Sequence, residues 1–450
     1  MIDIVWRRGL LWPAALFLCA LLLGGGGPHA PLLLATTEVV GLCVLLRTAV
    51  TAQRIEPRPA MLAAIGIVIA MLLLPVLQIL PIPLRWACDL AGRDLYCSTV
   101  ALAAVPGTTT TWSLSPDDTR RAALALLPPV AMFVATMGLD RTARRMLVQI
   151  AIGVGVLSAL TGAAQIMAGD GRFFPYGLPP YDRAPGLFAN YNHQAFFLSA
   201  ILLLVVADWI EDARSAIAPI RIGILILLTI GVIITSSRAG FGLLVLAILA
   251  GGSLWLRQLR RTRGGRLRGR GPLIGIVIAI LGVCLLIGLL AMGSYRSELM
   301  ADRIAQAASD TRFTFWGNTR YAIGLYFPAG SGFGTFDTVY QSVEPLGELH
   351  SYYVNHAHND YLEIVLEGGL IAAALIGAFL IWLTVRLVAI WRSGSTLMLA
   401  AAGVILLALL HSIVDYPLRT VTGATLFAFC CGLLISPGVA TSHIEHRTDD

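Results

Sequence analysis

The chain contains no lysine: all 32 basic residues among its 450 are arginine. Charge of either sign is scarce. It makes up 13% of residues, where a soluble globular domain carries about 25%. So little ionic surface excludes a cytosolic enzyme, a nucleic-acid-binding domain and a disordered scaffold. Strand-like alternation long enough for a transmembrane barrel is missing as well. What fills the sequence is apolar, with 57% hydrophobic residues and a mean hydropathy of +0.78. In such a chain a net charge of +6 reports orientation in a bilayer, because basic residues are retained on the cytoplasmic side.

Crossing the hydrocarbon layer takes about 20 apolar residues. Candidate spans fall at 9–23, 31–50, 60–83, 120–138, 146–168, 189–207, 219–235, 239–256, 272–293, 363–385, 395–413 and 420–436. The expected fold is therefore an all-α polytopic membrane protein of about twelve helices, with a large polar loop before the tenth. No small-residue cleavage pattern follows the first span, which reads as an uncleaved anchor. Residues 257–271 hold seven arginines and no acid, so this connection is expected in the cytoplasm. Parity then puts both termini inside, with 20 arginines inside and 12 outside. Residues 169–188, 235–240 and 294–362 share the outer face. Cys88 and Cys97 lie in another outer loop, where a disulfide is permitted.

The loop 294–362 is too long for a connector, since loops beyond about 15 residues usually carry function. Leu299, Met300, Ile304, Ala307 and Ala308 recur at helical spacing and suggest a surface helix. The aromatics Phe313, Phe315, Trp316, Tyr321, Tyr326, Phe333, Phe336 and Tyr340 suit either an interfacial belt or stacking on sugar rings. The run Gly330-Ser331-Gly332-Phe333-Gly334 lacks the strand, helix and lysine of a phosphate-binding loop, so its glycines read as turn-formers.

The densest polar cluster is Asn355-His356-Ala357-His358-Asn359-Asp360-Tyr361-Leu362-Glu363, leading into Glu367-Gly368-Gly369. Histidine is suited to accept a proton near neutral pH, and Asp360 or Glu363 could fix its tautomer. A cation held by His356, His358 and Asp360 on extended backbone is one alternative; a polar cap opening the next helix is another. Arginines gather on the same face. Arg238 sits in Ser237-Arg238, between two spans. Arg183 opens Arg183-Ala184-Pro185-Gly186-Leu187-Phe188-Ala189-Asn190-Tyr191-Asn192, and Arg312 precedes Phe313. The guanidinium fork fits phosphate oxygens bidentately, so arginines around a histidine describe a site for an anionic lipid without a metal. His411 and Asp415, four apart on one helical face, read as a local hydrogen-bonded pair.

Taken together, these motifs and their order resemble the O-antigen ligase and polymerase superfamily of bacterial envelope glycosyltransferases. The shared features are Arg183-x-x-Gly186-x-Phe188-x-Asn190-x-Asn192, Ser237-Arg238, the late outer loop, His358-Asn359-x-x-Leu362 and Glu367-x-Gly369. Tyr191 stands where proline is common, and Ala239 where a second glycine is often seen. The resemblance covers roughly residues 170–440. It implies a C-type membrane glycosyltransferase fold, with N-terminal helices over 1–168, a catalytic membrane region over 169–440 and a tail over 441–450.

The resemblance also implies an inner-membrane enzyme with a periplasmic site. Its donor is a glycan on undecaprenyl diphosphate; its acceptor is lipid A-core, another lipid-linked glycan or protein. No nucleic acid, cofactor or metal is expected. His358 is expected to activate the acceptor hydroxyl, with His356, Asn359 and Asp360 supporting it. Arg183, Arg238 and Arg312 are expected on the diphosphate, with Asn190, Asn192 and Glu363 as supports. Single displacement would invert the anomeric centre. A transporter of lipid-linked sugars would instead place its charges near the midplane, and a non-catalytic export subunit would tolerate loss of His358. The topology is testable by impermeant-thiol labelling of intact cells: Ser297→Cys should react and Gly265→Cys should not, and the reverse pattern overturns the orientation.

Overall fold

The computed structural model describes residues 9–27, 30–51, 58–103, 107–169, 171–176, 183–212, 217–261, 282, 311–349, 353–393 and 395–435. The ninth expected span, most of the arginine-rich loop, the stretch from 294 to 310 with its expected surface helix, and the C-terminal tail lie outside them. Helices dominate what is described: α1 (Leu11–Leu23), α2 (Pro31–Thr51), α3 (Pro59–Ile79), α4 (Leu84–Cys88), α5 (Asp94–Leu102), α6 (Pro116–Ala125), α7 (Leu127–Gly138), α8 (Arg141–Ala168), α9 (Tyr191–Glu211), α10 (Ala218–Ile234), α11 (Arg238–Arg261), α12 (Thr311–Tyr326), α13 (Phe336–Val343), α14 (Asp360–Ser393), α15 (Thr396–His411) and α16 (Val421–Leu433). Among the described residues, seven helical segments are long and apolar enough to cross a membrane, and four shorter apolar helices accompany them. The chain is thus a mostly helical, polytopic membrane protein.

Local chemistry sets the helix ends. Asp140 caps α8 by accepting from the Ala143 amide at 2.8 Å, and Gly169 closes it in the left-handed conformation. The fourth span begins earlier than hydropathy indicates. Pro116 fits the first helical turn, Asp117 and Asp118 complement the helix dipole there, and the segment bends at Leu126 before Pro128 and Pro129. Helix α9 is apolar nearly all round and is buried almost throughout. It packs against α8, α10, α11 and α15, while α16 packs on α1 and α7. One apolar core runs through all of these.

At one end of the bundle Arg145 binds Asp208 (2.8 Å) and Asp212 (3.0 Å), and Arg221 binds Asp208 (2.7 Å). Arg144 donates to the carbonyls of Met137 and Ile435. At the other end lies a compact outer layer. Strands β1 (Pro81–Pro83) and β2 (Thr109–Thr111) pair antiparallel, and Cys88 is joined to Cys97 by a disulfide. Arg93, buried beside this loop, donates to the carbonyls of Trp112 and Gly330. The loop aromatics divide differently from either expectation. Phe315, Tyr326, Phe336 and Tyr340 form a second small core with Val354 and Leu366, whereas Phe313 and Tyr321 remain exposed. Packing α12 and α13 onto the start of α14 leaves the first four no free face for sugar or lipid.

Helix α14 breaks at Gly369, whose φ of 59° and ψ of −145° suit only glycine. The break frees carbonyls, and the Gly330 turn occupies them: Ser331 donates to Leu366 O and Gly332 to Glu367 O. Gly330, Gly332 and Gly334 all have positive φ, in keeping with their expected role as turn-formers. A Cβ at Gly369 would meet Pro328 O at 2.1 Å. We therefore expect Gly369→Ala to cost more than the ~1–3 kcal/mol of a strained backbone alone. The measurement is detergent-solubilised thermal unfolding; a midpoint equal to that of the parent contradicts the constraint.

Candidate functional site

Three helix mouths converge at the outer-layer end of the bundle: the start of α9, the start of α14, and the turn between α15 and α16. Asn359 caps α14, its side chain accepting from Leu362 N at 3.1 Å and donating to Ile413 O at 2.9 Å. Asp360 donates its amide to Ser412 O (2.9 Å) and accepts from the Ser412 hydroxyl (2.7 Å). The three bonds to Ser412 and Ile413 fasten the histidine segment to the 411–415 turn. His358, in between, takes a left-handed backbone with φ of 51°. Its carbonyl accepts from Trp316 Nε1 at 3.3 Å, and its ring stacks on Phe315.

Held this way, His358 Nδ1 lies 3.2 Å from Asp415 Oδ1. Asp415 is fully buried. His193 Nε2 stands 3.8 Å from the same oxygen, and His411 Nε2 stands 3.9 Å from the other. Both gaps exceed hydrogen-bond length, so His358 is the imidazole directly bonded to the acid. Burial works to raise the pKa of Asp415. The imidazoles of His193, His358 and His411 outweigh it and hold the carboxyl well below the usual carboxylate range. The acid therefore stays ionised at neutral pH and loses that stabilising pairing only when strong acid protonates it.

A second network lies alongside. Glu363 accepts from the Ala357 amide (2.9 Å) and sits 2.8 Å from His356 Nδ1. Arg419 contacts Glu367 at 2.7 Å, Glu363 at 3.5 Å and Asp360 at 3.8 Å. Burial disfavours the Arg419 charge, and the surrounding Glu363, Glu367 and Asp360 more than offset it. Glu367 also accepts from the Gly334 amide at 2.9 Å, which joins the network to the outer layer.

The expected site residues fall into place unevenly. Neither Asp360 nor Glu363 fixes the tautomer of His358; Asp415 pairs with it, while Glu363 pairs with His356 and Asp360 is taken up by Ser412 and Arg419. The local His411–Asp415 pair is likewise corrected, because the acid belongs first to His358. Because His356 and His358 turn to different carboxylates, the metal arrangement of His356, His358 and Asp360 does not form. Among the described residues no group of three or more histidine, cysteine or acidic side chains is arranged to hold a metal.

The other motifs meet at the same end. Asn190 caps α9 by accepting from Asn192 N at 2.8 Å, and Asn192 Oδ1 accepts from the Ser237 hydroxyl at 2.6 Å. Arg238, next in sequence, opens α11 and is exposed. Arg183 stacks over Tyr191 at 4.2 Å. Arg312 is placed so that its charge acts on His411. Among the described residues, the two non-glycine positions with positive φ are Ser236 and His358. His358 lies in one of these motifs and Ser236 directly precedes another, Ser237-Arg238, and such strain clusters at functional sites.

Sequence reasoning missed His193, Asp415, Tyr416 and Arg419 as members of the site. The available signal was a polar run, His411 to Arg419, closing an otherwise apolar helix.

Residues 223–377 match the O-antigen ligase family. The matched segment contains Arg238, Arg312, His356, His358, Glu363 and Glu367; Asp415 and Arg419 lie beyond it. No curated protein matches the chain.

If Asp415 orients His358, Asp415→Asn keeps the shape but loses the charge. Glycan transfer should fall about 10–100-fold, the usual effect of removing an orienting partner. The comparison is made in membranes with protein levels matched; an unchanged rate removes Asp415 from the machinery.

Proposed function

We propose, from the match of residues 223–377 to the O-antigen ligase family, that the chain is an inner-membrane glycosyltransferase that moves a glycan from undecaprenyl diphosphate to an acceptor hydroxyl at the periplasmic face. The observation that carries this reading is the His358–Asp415 pair, set in a left-handed turn at the end of the bundle where the arginines gather. With Nδ1–H donating to Asp415, the Nε2 lone pair is left to receive a proton. A sugar hydroxyl is a weak nucleophile at neutral pH, and a positioned base typically supplies about 10²–10⁴-fold.

The acceptor oxygen attacks the anomeric carbon of the donor as the bond to the lipid diphosphate breaks. The acceptor proton passes to His358 Nε2, and the electron pair leaves with the diphosphate. That group needs neutralised charge rather than a protonating acid. Arg183, Arg238 and Arg312 supply positive charge that cannot titrate away. One displacement inverts the anomeric configuration. His356, tied to Glu363 and through it to Arg419, lies beside the reacting imidazole and fixes the chain around it. Asn359 and Asp360 act through the backbone, by fastening His358 to the 411–415 turn. Asn190 and Asn192 bring the arginine-bearing segments to the same mouth.

The reaction is a transfer onto lipid A-core or onto another lipid-linked repeat. The test incubates purified protein with a purified lipid-linked repeat, with and without lipid A-core, in the presence of a chelator. Product that persists with chelator supports charge neutralisation by arginine. Longer chains formed without core identify a polymerase, and capped core identifies a ligase. Folded, inserted His358→Ala should lose at least about 10²-fold in rate; parental turnover by that variant refutes the catalytic assignment.

A further inference from the structure

Tyr416 follows Asp415 and precedes Pro417, at the outer mouth of α15. Its surroundings differ from those of an ordinary core aromatic. The ring lies 4.1 Å from His356, 4.8 Å from His193 and 5.0 Å from His358, centroid to centroid. Its backbone amide donates to Asp415 Oδ1 at 3.0 Å, the same oxygen that pairs with His358. Its hydroxyl lies within electrostatic reach of the Asn190 and Asn355 side chains. One residue therefore touches the cap of α9, the histidine segment and the acid.

These contacts separate the imidazoles. His356 and His358 are two residues apart, yet one addresses Glu363 and the other Asp415. Tyr416 packs against both rings, tilted to His356 at 37° and edge-on to His358 at 69°. A smaller side chain would remove the surface against which each ring is set. The hydroxyl differs from the ring in what it faces: Asn355, just before His356, and Asn190, the cap of α9.

We propose that Tyr416 is a positioning residue that sorts the histidines between their two carboxylates and so fixes the orientation of His358. The proposal rests on the reading of His358 as the base. Tyr416 itself takes no proton. Burial, with the Asp415 charge beside it, pushes its phenol up, out of reach of a physiological proton transfer.

Two variants divide ring from hydroxyl. Tyr416→Phe keeps the ring and drops the hydroxyl; Tyr416→Leu drops both. Full-length protein in detergent is assayed for glycan transfer, and acylation of His356 and His358 by diethyl pyrocarbonate is followed by mass spectrometry. We expect kcat to fall about tenfold in Tyr416→Phe, the scale of a lost polar contact. In Tyr416→Leu it should fall roughly a hundredfold or more, with KM within about twofold of the parent in both. Acylation of both histidines should be several-fold faster in Tyr416→Leu. Should that variant fail to fold, Asn355→Ala serves instead; alone or combined with Tyr416→Phe it should cost no more than Tyr416→Phe alone, because Tyr416→Phe already removes what Asn355 shares with the hydroxyl. A loss confined to KM, an unchanged acylation pattern, or additive losses in the double variant overturns the proposal. If the parental protein transfers no glycan, the reaction assigned above fails, and the acylation arm still decides whether Tyr416 positions the rings.

Discussion

Burying Asp415 is the constraint around which this end of the molecule is arranged. An ionised carboxylate removed from water is costly, by several kcal/mol even after relaxation, unless it is paired and hydrogen-bonded. Here it is enclosed at the mouth of an apolar bundle, with three imidazoles within 4 Å and a backbone amide on one oxygen. Asp360, Glu363 and Glu367 are equally enclosed and share Arg419. Apolar side chains of similar volume would hold helices together about as well, or better. Four buried acids therefore make a poor device for stability, and their presence is better explained by the chemistry they permit.

The opposite end shows what a purely structural solution looks like. Arg145 and Arg221 clamp Asp208 and Asp212, which locks α8, α9 and α10 together. No histidine takes part in these pairs. Guanidinium does not titrate in the working range, so such a clamp moves no proton. At the outer-layer end the acids face imidazoles, side chains able to take up and release a proton. Both clusters offset the burial of ions, but only one can exchange a proton with a substrate. This asymmetry supports catalysis at one end more strongly than the number of polar residues would.

Much of the architecture was legible in the sequence because a bilayer demands long apolar runs, and eleven of the twelve expected spans correspond to described helices. The Cys88–Cys97 pair and the turn role of Gly330 to Gly334 were legible too, since each depends on residues close in the chain. The pairing in the site was not. His358 and Asp415 are 57 positions apart, with two helices between them. Hydropathy places both on one face but says nothing about which carboxylate meets which ring. The nearer acids, Asp360 and Glu363, were the natural choice from sequence, and the left-handed turn at His358 defeats that choice because the ring meets Asp415 instead. Loop aromatics misled for a related reason: composition cannot tell an exposed belt from a small core closed by two short helices.

The outer layer has a physical connection to this chemistry. Arg93, beside the Cys88–Cys97 loop, holds Gly330 O; the Gly330 turn fills the carbonyls freed at the Gly369 break; Glu367 meets Gly334 N and Arg419; and Arg419 reaches Glu363, the partner of His356. Continuity of contacts is not by itself a route for signals, and none of these groups needs to move. Its consequence is stiffness. On the proposed reaction, lipid-linked substrates arrive from a fluid bilayer with flexible glycans, so the protein has to set the geometry of attack. A base misplaced by about 1 Å forfeits on the order of 10²-fold in rate. Helix mouths fray when left alone, yet here the mouth of α14 is tied to a packed outer layer on one side and to the 411–419 turn on the other. That double fastening lets a strained histidine persist at the edge of a membrane, where a single helix cap would let it relax.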